Sequence, residues 1–325
     1  MKSAIKILFL CLAVSEMSCA VQKPVRIVLM PDMQNYAETH PDIFNSQTEW
    51  IAAQCDSIAF VLQQGDITNR NAESQWKVAV EAMSRLDGKV PYVMAVGNHD
   101  LGLKGRTKNR DSELFNRYFP YDKYARTKNF GGAFELGKME NVWYTFRTGG
   151  VKWLVLSLEF GPRDSVLAWA GAVIDAHPRH KVIINTHAYL YSDDTHMGPG
   201  DKWLPESYGI GKDKPSGSVN NGEQMWDKLI GLYSNIVFVF SGHVLNDGTG
   251  CLVSEGVHGN RVCQMMANYQ TGTVGSVNGG NGFLRILDID TERGKVAVRS
   301  YSPYAGTFRT EPDHQFVVEG LDFKR

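Results

Sequence analysis

Five apolar runs in this chain each stop at a short polar cluster, and that repetition limits what it can fold into. Arg26 to Met30 ends at Pro31-Asp32-Met33-Gln34, and Ile58 to Leu62 runs into Gly65-Asp66. Val90 to Val96 ends at Gly97-Asn98-His99-Asp100, Lys181 to Asn185 at Thr186-His187, and Ile236 to Phe240 at Ser241-Gly242-His243. Runs of this length, bounded by Gly, Pro, Asn and Asp, read as buried strands. Between the first three lie segments of helical spacing. Ile43, Phe44, Gln47, Trp50 and Ile51 share one face of Asp42 to Ala53, and Trp76, Val80 and Met83 share one of Glu73 to Leu86. Such alternation argues for βαβ units and a mostly parallel sheet, whose ligand sites lie beyond the carboxyl ends of the strands.

Other segments change character. Leu101 to Asn129 is rich in Lys, Arg and Asp and reads as a solvated excursion. From Gly131 the pattern turns to β, with runs at 133–136, 142–146 and 153–158, before a helical stretch from Val166 to Ala176. Asp193 to Gly222 is a long polar loop, a kind that is usually functional or disordered. Glu223 to Tyr233 reads as a helix, and short strands at 262–266, 282–289, 295–301 and 315–318 complete the chain. No internal repeat or low-complexity linker divides it, so a single domain from residue 24 to 325 is expected. Trp50, Trp76 and Trp169 sit on apolar helix faces and read as core.

The N-terminus has the layout of an export signal: Lys2 and Lys6, an apolar run from Ile7 to Val14, then Ser18, Cys19 and Ala20. Residues 1–19 are therefore read as a leader, and the mature protein as periplasmic, anchored in the outer membrane or secreted. Cys19 is either the residue lipidated in a bacterial lipoprotein, the one membrane attachment expected, or part of a plainly cleaved leader. Three cysteines remain. Cys251 and Cys263 flank a hairpin turn and read as facing each other, either as a disulfide or as two small buried residues, and Cys55 as an inert core thiol. A net charge of -1 over 325 residues offers none of the basic excess that marks a nucleic-acid binder.

Any one polar cluster is an ordinary turn. All five at strand ends would bring three carboxylates, two amides and three imidazoles together, and these are ligand types for divalent ions. The ordered set resembles the calcineurin-like metallophosphoesterases, whose blocks run D-x-H, G-D, G-N-H-[DE], a lone His and G-H-x-H. The likeness spans about residues 26–245, with 246–325 as a β-rich completion. It implies a two-sheet β-sandwich flanked by helices, and an exported phosphoesterase in which metal-bound water attacks a phosphomonoester or phosphodiester. By the same resemblance Asp66 bridges two ions, Asn98, His187 and His243 complete one site, and Asp32 and Gln34 serve the other. His99 would be the histidine beside the leaving group, and Asp100 the carboxylate that orients its imidazole.

Two positions depart from the family pattern. Gln34 stands where D-x-H has His, and Leu245 where G-H-x-H has its second His; both belong to the same metal position. The remaining oxygen ligands suit Mg, Ca or Mn better than Zn, and over the whole centre one or two divalent ions, drawn from Mn, Fe, Zn, Mg and Ca, are expected. Asn246 or Asp247 is a candidate to compensate. These departures keep two alternatives open, a mononuclear enzyme and a non-catalytic binding protein on the same scaffold. Expected contacts to a small phosphate-ester substrate are Asn69, Tyr189, His196, Asn268 and Gln270. Arg70, Tyr191, Asp193, Asp194, Glu159 and Arg163 are further candidates.

Overall fold

The computed structural model describes residues 23–324, so the leader and Cys19 lie outside the described residues. No helix among the described residues is long and apolar enough to cross a membrane. Among the described residues, fourteen strands form two sheets: β1 (Val25–Met30), β2 (Ile58–Gln63), β3 (Tyr92–Met94), β4 (Phe130–Ala133), β5 (Val142–Thr148), β6 (Val151–Ser157), β7 (Lys181–Asn185), β8 (Ile236–Ser241), β9 (Thr249–Glu255), β10 (Arg261–Ala267), β11 (Leu284–Asp290), β12 (Lys295–Ser302), β13 (Thr307–Arg309) and β14 (Gln315–Val318).

One sheet has the order β13-β12-β11-β1-β2-β3, with β14 also paired to β12, and the other runs β4-β5-β6-β7-β8-β10-β9. Each is mixed. β1, β2 and β3 are parallel, and β11 joins them antiparallel to β1. In the second sheet β6, β7, β8 and β10 are parallel. The C-terminal strands therefore complete both sheets, β9 and β10 in one and β11 to β14 in the other.

The sheets stack face to face because the strands near their centres are apolar on both faces. Phe60 on β2 meets Tyr144 and Phe146 on β5 at centroid distances of 5.8 and 5.1 Å. Polar bridges tie the layers at their carboxyl edge: Asn185 Nδ2 donates to the Gln63 carbonyl at 2.9 Å and Ser157 Oγ to that of Met94 at 3.3 Å. Helices Pro41–Ala53 and Glu73–Met83 flank the first sheet's parallel strands in sequence, and Asp164–Asp175 connects β6 to β7. Trp76 is fully buried, while Trp50 and Trp169 are partly buried against the core.

The sequence reading needs four corrections in the fold. Gln34–Thr39 is a helix, placed straight after the first polar cluster. The excursion after Leu101 is not wholly solvated: helices Glu113–Tyr118 and Tyr121–Tyr124 bury Phe115, Phe119 and Tyr124, and the first two rings pack on Trp76. The polar loop 193–222 is not disordered: it buries Met197, Ile210 and Val219 around a short helical turn at Pro205–Ser207 and leaves residues 193–195 and 212–216 exposed. Finally, the β9–β10 register sets Cys251 opposite Met265 and Cys263 opposite Val253, so the two cysteines are diagonal neighbours, and both are free thiols.

Candidate metal centre

The five polar endings meet, but not on one sheet. Those after β1, β2 and β3 come from the first layer and those after β7 and β8 from the second, so the site sits where the carboxyl ends of both layers adjoin. Backbone bonds lock the endings side by side. Met33 N donates to Asp66 O at 2.9 Å, Thr186 N to Phe240 O at 3.0 Å, and Gly242 N to His187 O at 2.9 Å.

Glycines make this convergence possible. A Cβ on Gly97 would lie 2.1 Å from Asp66 Oδ1, and one on Gly65 would lie 2.6 Å from His187 Nδ1. Two of the polar residues themselves hold backbone that L-residues adopt with strain: Asp66 at φ 49° and His243 at φ 72°. Strain of this kind persists where the surroundings over-determine it, and it concentrates at functional sites.

At the centre, Asp66, His187 and His243 place one potential ligand atom each within 4.8 Å of one another, all three side chains being buried. His187 Nε2 is 3.2 Å from Asp66 Oδ1, 3.1 Å from Asn98 Oδ1 and 3.1 Å from His243 Nδ1. The outer nitrogen of each ring is already committed. His187 Nδ1 faces the Gln64 carbonyl at 2.8 Å, and His243 Nε2 faces that of Trp203 at 2.8 Å. A carbonyl accepts only, so each ring puts its proton there and turns a lone pair inward. Two imidazole nitrogens, a carboxylate oxygen and an amide oxygen thus converge with no proton donor of their own. That donor set fits a divalent cation, and the carbonyls act as the partners that fix tautomer and ring orientation.

Without a cation, His187 must take up a second proton to relieve this convergence. Burial alone would lower its pKa, but the Asp66 carboxylate overcomes that and lifts it to about 9. Burial likewise opposes ionisation of Asp66, and the imidazoles of His187 and His99 hold it well below the usual carboxylate range. His243 goes the other way: burial, then the neighbouring His187, depress it to about 3. Cation binding has to expel the His187 proton, so affinity falls as pH falls below about 9. The expected slope approaches about tenfold per pH unit near neutrality. Titration calorimetry in two buffers of different ionisation enthalpy should count close to one proton released per ion.

His99 is half-buried beside the cluster. Its backbone N–H donates to Asp66 Oδ1 at 2.9 Å, and its Nδ1 faces the Asn69 carbonyl at 2.7 Å, which leaves Nε2 as the free nitrogen. Asp100 does not orient that ring, contrary to the sequence-based expectation. Its carboxylate accepts from the backbone N–H groups of Ile67 (3.1 Å), Thr68 (2.8 Å) and Gly97 (3.0 Å), and from the Thr68 hydroxyl at 2.9 Å. It stitches the turn after β2 to the turn after β3. Burial first, and then the charge on Asp66, raise it to about 6.

The expected substrate contacts divide. Asn268 and Gln270 come to the site, but their amides are donated to Asp32. The Asn69 side chain turns away to Glu38, and it is the backbone carbonyl that serves His99. Tyr189 and His196 lie elsewhere: the Tyr189 hydroxyl and His196 Nε2 both meet Gln264 Oε1 on β10, because the chain turns back into the second sheet after His187. Glu159 and Arg163 belong to an ion-pair network with Arg110, Arg70 pairs with Glu38, Asp193 bonds to Thr195 within its own loop, and Asp194 accepts from the Cys251 N–H on β9. Sequence reasoning missed Gln64 and Trp203, which act through backbone carbonyls that no side chain advertises. It also missed Tyr208, whose ring lies 6.1 Å from that of His243.

Two stacked mixed sheets flanked by helices, with an Asp–Asn–His–His cluster at their shared carboxyl edge, define a metallophosphoesterase fold. The model of the calcineurin-like phosphoesterase family matches residues 25–247, and the chain belongs to that family. It is 32% identical over 289 residues to the uncharacterized protein YvnB of Bacillus subtilis, a match covering 85% of this chain and 20% of that protein. The chain thus spans about a fifth of the curated relative's length. Among solved structures, a purple acid phosphatase from yellow lupin (Lupinus luteus) seeds is similar at TM-score 0.52 and 15% identity, over 93% of this chain and 55% of that one. The anchor in the inner membrane complex of Plasmodium is similar at TM-score 0.50 and 12% identity, over 94% and 90%.

Proposed function

We propose that this protein is an exported, metal-dependent phosphoesterase that hydrolyses a small phosphate monoester or diester. The observation that carries the reading is the inward convergence of Asp66 Oδ1, Asn98 Oδ1, His187 Nε2 and His243 Nδ1, with His99 alongside. A divalent ion held there supplies Lewis acidity toward a phosphoryl oxygen and lowers the pKa of a coordinated water. The chain's own groups do the rest. His187 and His243 keep their inward lone pairs because Gln64 and Trp203 hold their outer protons. Asp100 fixes the turn that presents Asn98 and His99 together. His99 gives its Nδ1 proton to Asn69, so its Nε2 can hold a proton for the departing oxygen or face the developing negative charge. Export rests on the lysine-flanked apolar run at the N-terminus.

A binding protein on the same scaffold is the second reading. It is favoured by Leu245, which brings no ligand atom where the family pattern has His, and a fold shared with both a phosphatase and a membrane-complex anchor does not decide between the two. Aryl phosphate monoesters and diesters, assayed with Mn, Fe, Zn, Mg and Ca in turn, separate the readings. Turnover with at least one ion is expected; none with any ion would favour binding.

A further inference from the structure

The Asp32 carboxylate is engaged by amides. Oδ2 accepts from Asn268 Nδ2 at 3.0 Å and Gln270 Nε2 at 2.9 Å, and Oδ1 accepts from the His243 backbone N–H at 3.2 Å. The orientation of these carboxamides follows from chemistry. The Gln270 backbone N–H can only donate, and it lies 3.0 Å from Asn268 Oδ1, so the Asn268 amide nitrogen must face Asp32. A carboxylate only accepts, so Gln270 also presents its nitrogen, and Gln270 Oε1 then accepts from Gln34 Nε2. One buried atom of the set keeps no partner, Gln34 Oε1.

A second cation beside Asp32 would find few ligands. Leu245 packs toward Gly272, whose Cβ, if present, would lie 3.1 Å from Leu245 Cδ1. Asn246 Nδ2 donates to Ser192 at 2.8 Å, and Asp247 accepts from the Thr249 N–H at 3.2 Å; neither turns inward. Asp66 Oδ1 already serves the first cluster. What remains is Asp32, once two N–H donors are displaced, Gln34 Oε1 and the second oxygen of Asp66. That falls short of the four protein ligands of structural zinc and the six or more oxygens of calcium. Magnesium or manganese, which complete their shells with water, would still have to displace the amide N–H groups that occupy Asp32 Oδ2.

We propose that the centre holds a single divalent cation, in the Asp66–Asn98–His187–His243 cluster, and that a carboxamide clamp of Gln34, Asn268 and Gln270 replaces the second. The amide dipoles compensate Asp32 in place of an ion. Asp32 thereby becomes a positioning residue that holds the His243 backbone. The proposal rests on reading the Asp66 cluster as a metal centre, and metal counting tests the two separately. The full-length protein is stripped with chelator, reloaded with excess Mn(II), desalted, and examined by elemental analysis and by electron paramagnetic resonance. One Mn per chain with the spectrum of an isolated ion is expected. Two per chain with an exchange-coupled spectrum would overturn the single-ion centre while leaving the cluster intact, and none would overturn the cluster itself. Gln270→Glu exchanges an N–H donor for a carboxylate beside Asp32. With the fold retained, as judged by circular dichroism, its Mn content should rise from one toward two. A content that stays at one would show that the clamp is not what excludes the second ion.

Discussion

Replacing Asp66 with alanine is expected to remove the metal and the activity together. Asp66 is the one carboxylate in the cluster, its Oδ1 lies 3.2 Å from His187 Nε2, and the same atom accepts the His99 N–H at 2.9 Å. Loss of a hydrogen-bond partner to a metal ligand costs about 10- to 100-fold in affinity. Loss of the only negatively charged ligand should cost more, so metal content after desalting should fall to background. Asp66→Asn separates charge from shape: it keeps the side chain's size at this buried position and removes the charge. Both variants should lose the ion, with Asn retaining more of the fold by circular dichroism. An Asp66→Ala protein that turns over substrate without bound metal would contradict the proposed chemistry.

His99→Ala should separate the steps differently. The His99 side chain contributes no atom to the ligand cluster, and its imidazole touches the rest of the chain through Asn69 O. Metal content should therefore remain near that of the parent protein. Turnover should fall by about 10²- to 10⁴-fold, the range for a positioned acid–base or charge-stabilising group. The loss should shrink for an ester whose leaving group is already a weak base, such as nitrophenolate, because such an oxygen needs no proton to depart. A parallel loss of metal would instead make His99 part of the cation site.

Much of this site was legible because strand ends are where an open sheet exposes polar groups. Each apolar run announced an address, and Asp66, Asn98, His187 and His243 arrive where those addresses meet. Which sheet each strand joins was not legible: the runs look alike, and β7 and β8 differ from β1 and β2 only in their partners. The role of Asp100 was misread for a related reason. Sequence places a carboxylate beside an imidazole, but the tight turn at Asn98–Asp100 aims it at the backbone of Ile67 and Thr68. Trp203 and Gln64 leave no trace in residue type, since any residue offers a carbonyl. Helix Gln34–Thr39 escaped because six residues carry too little periodicity to register. Gln34 and Leu245 mark, in the sequence, the side on which the centre departs from the family pattern. What fills that side, Asn268 and Gln270, lies 236 and 238 residues along the chain from the Asp32 it engages.

The most direct test of the central reading is the rate of aryl phosphate hydrolysis followed while Mn(II) is titrated back into chelator-stripped protein. Activity should be absent at the start and rise in proportion to bound metal, with the Asp66→Ala protein flat throughout. Hydrolysis that persists in the stripped protein, or that rises equally in Asp66→Ala, would contradict it.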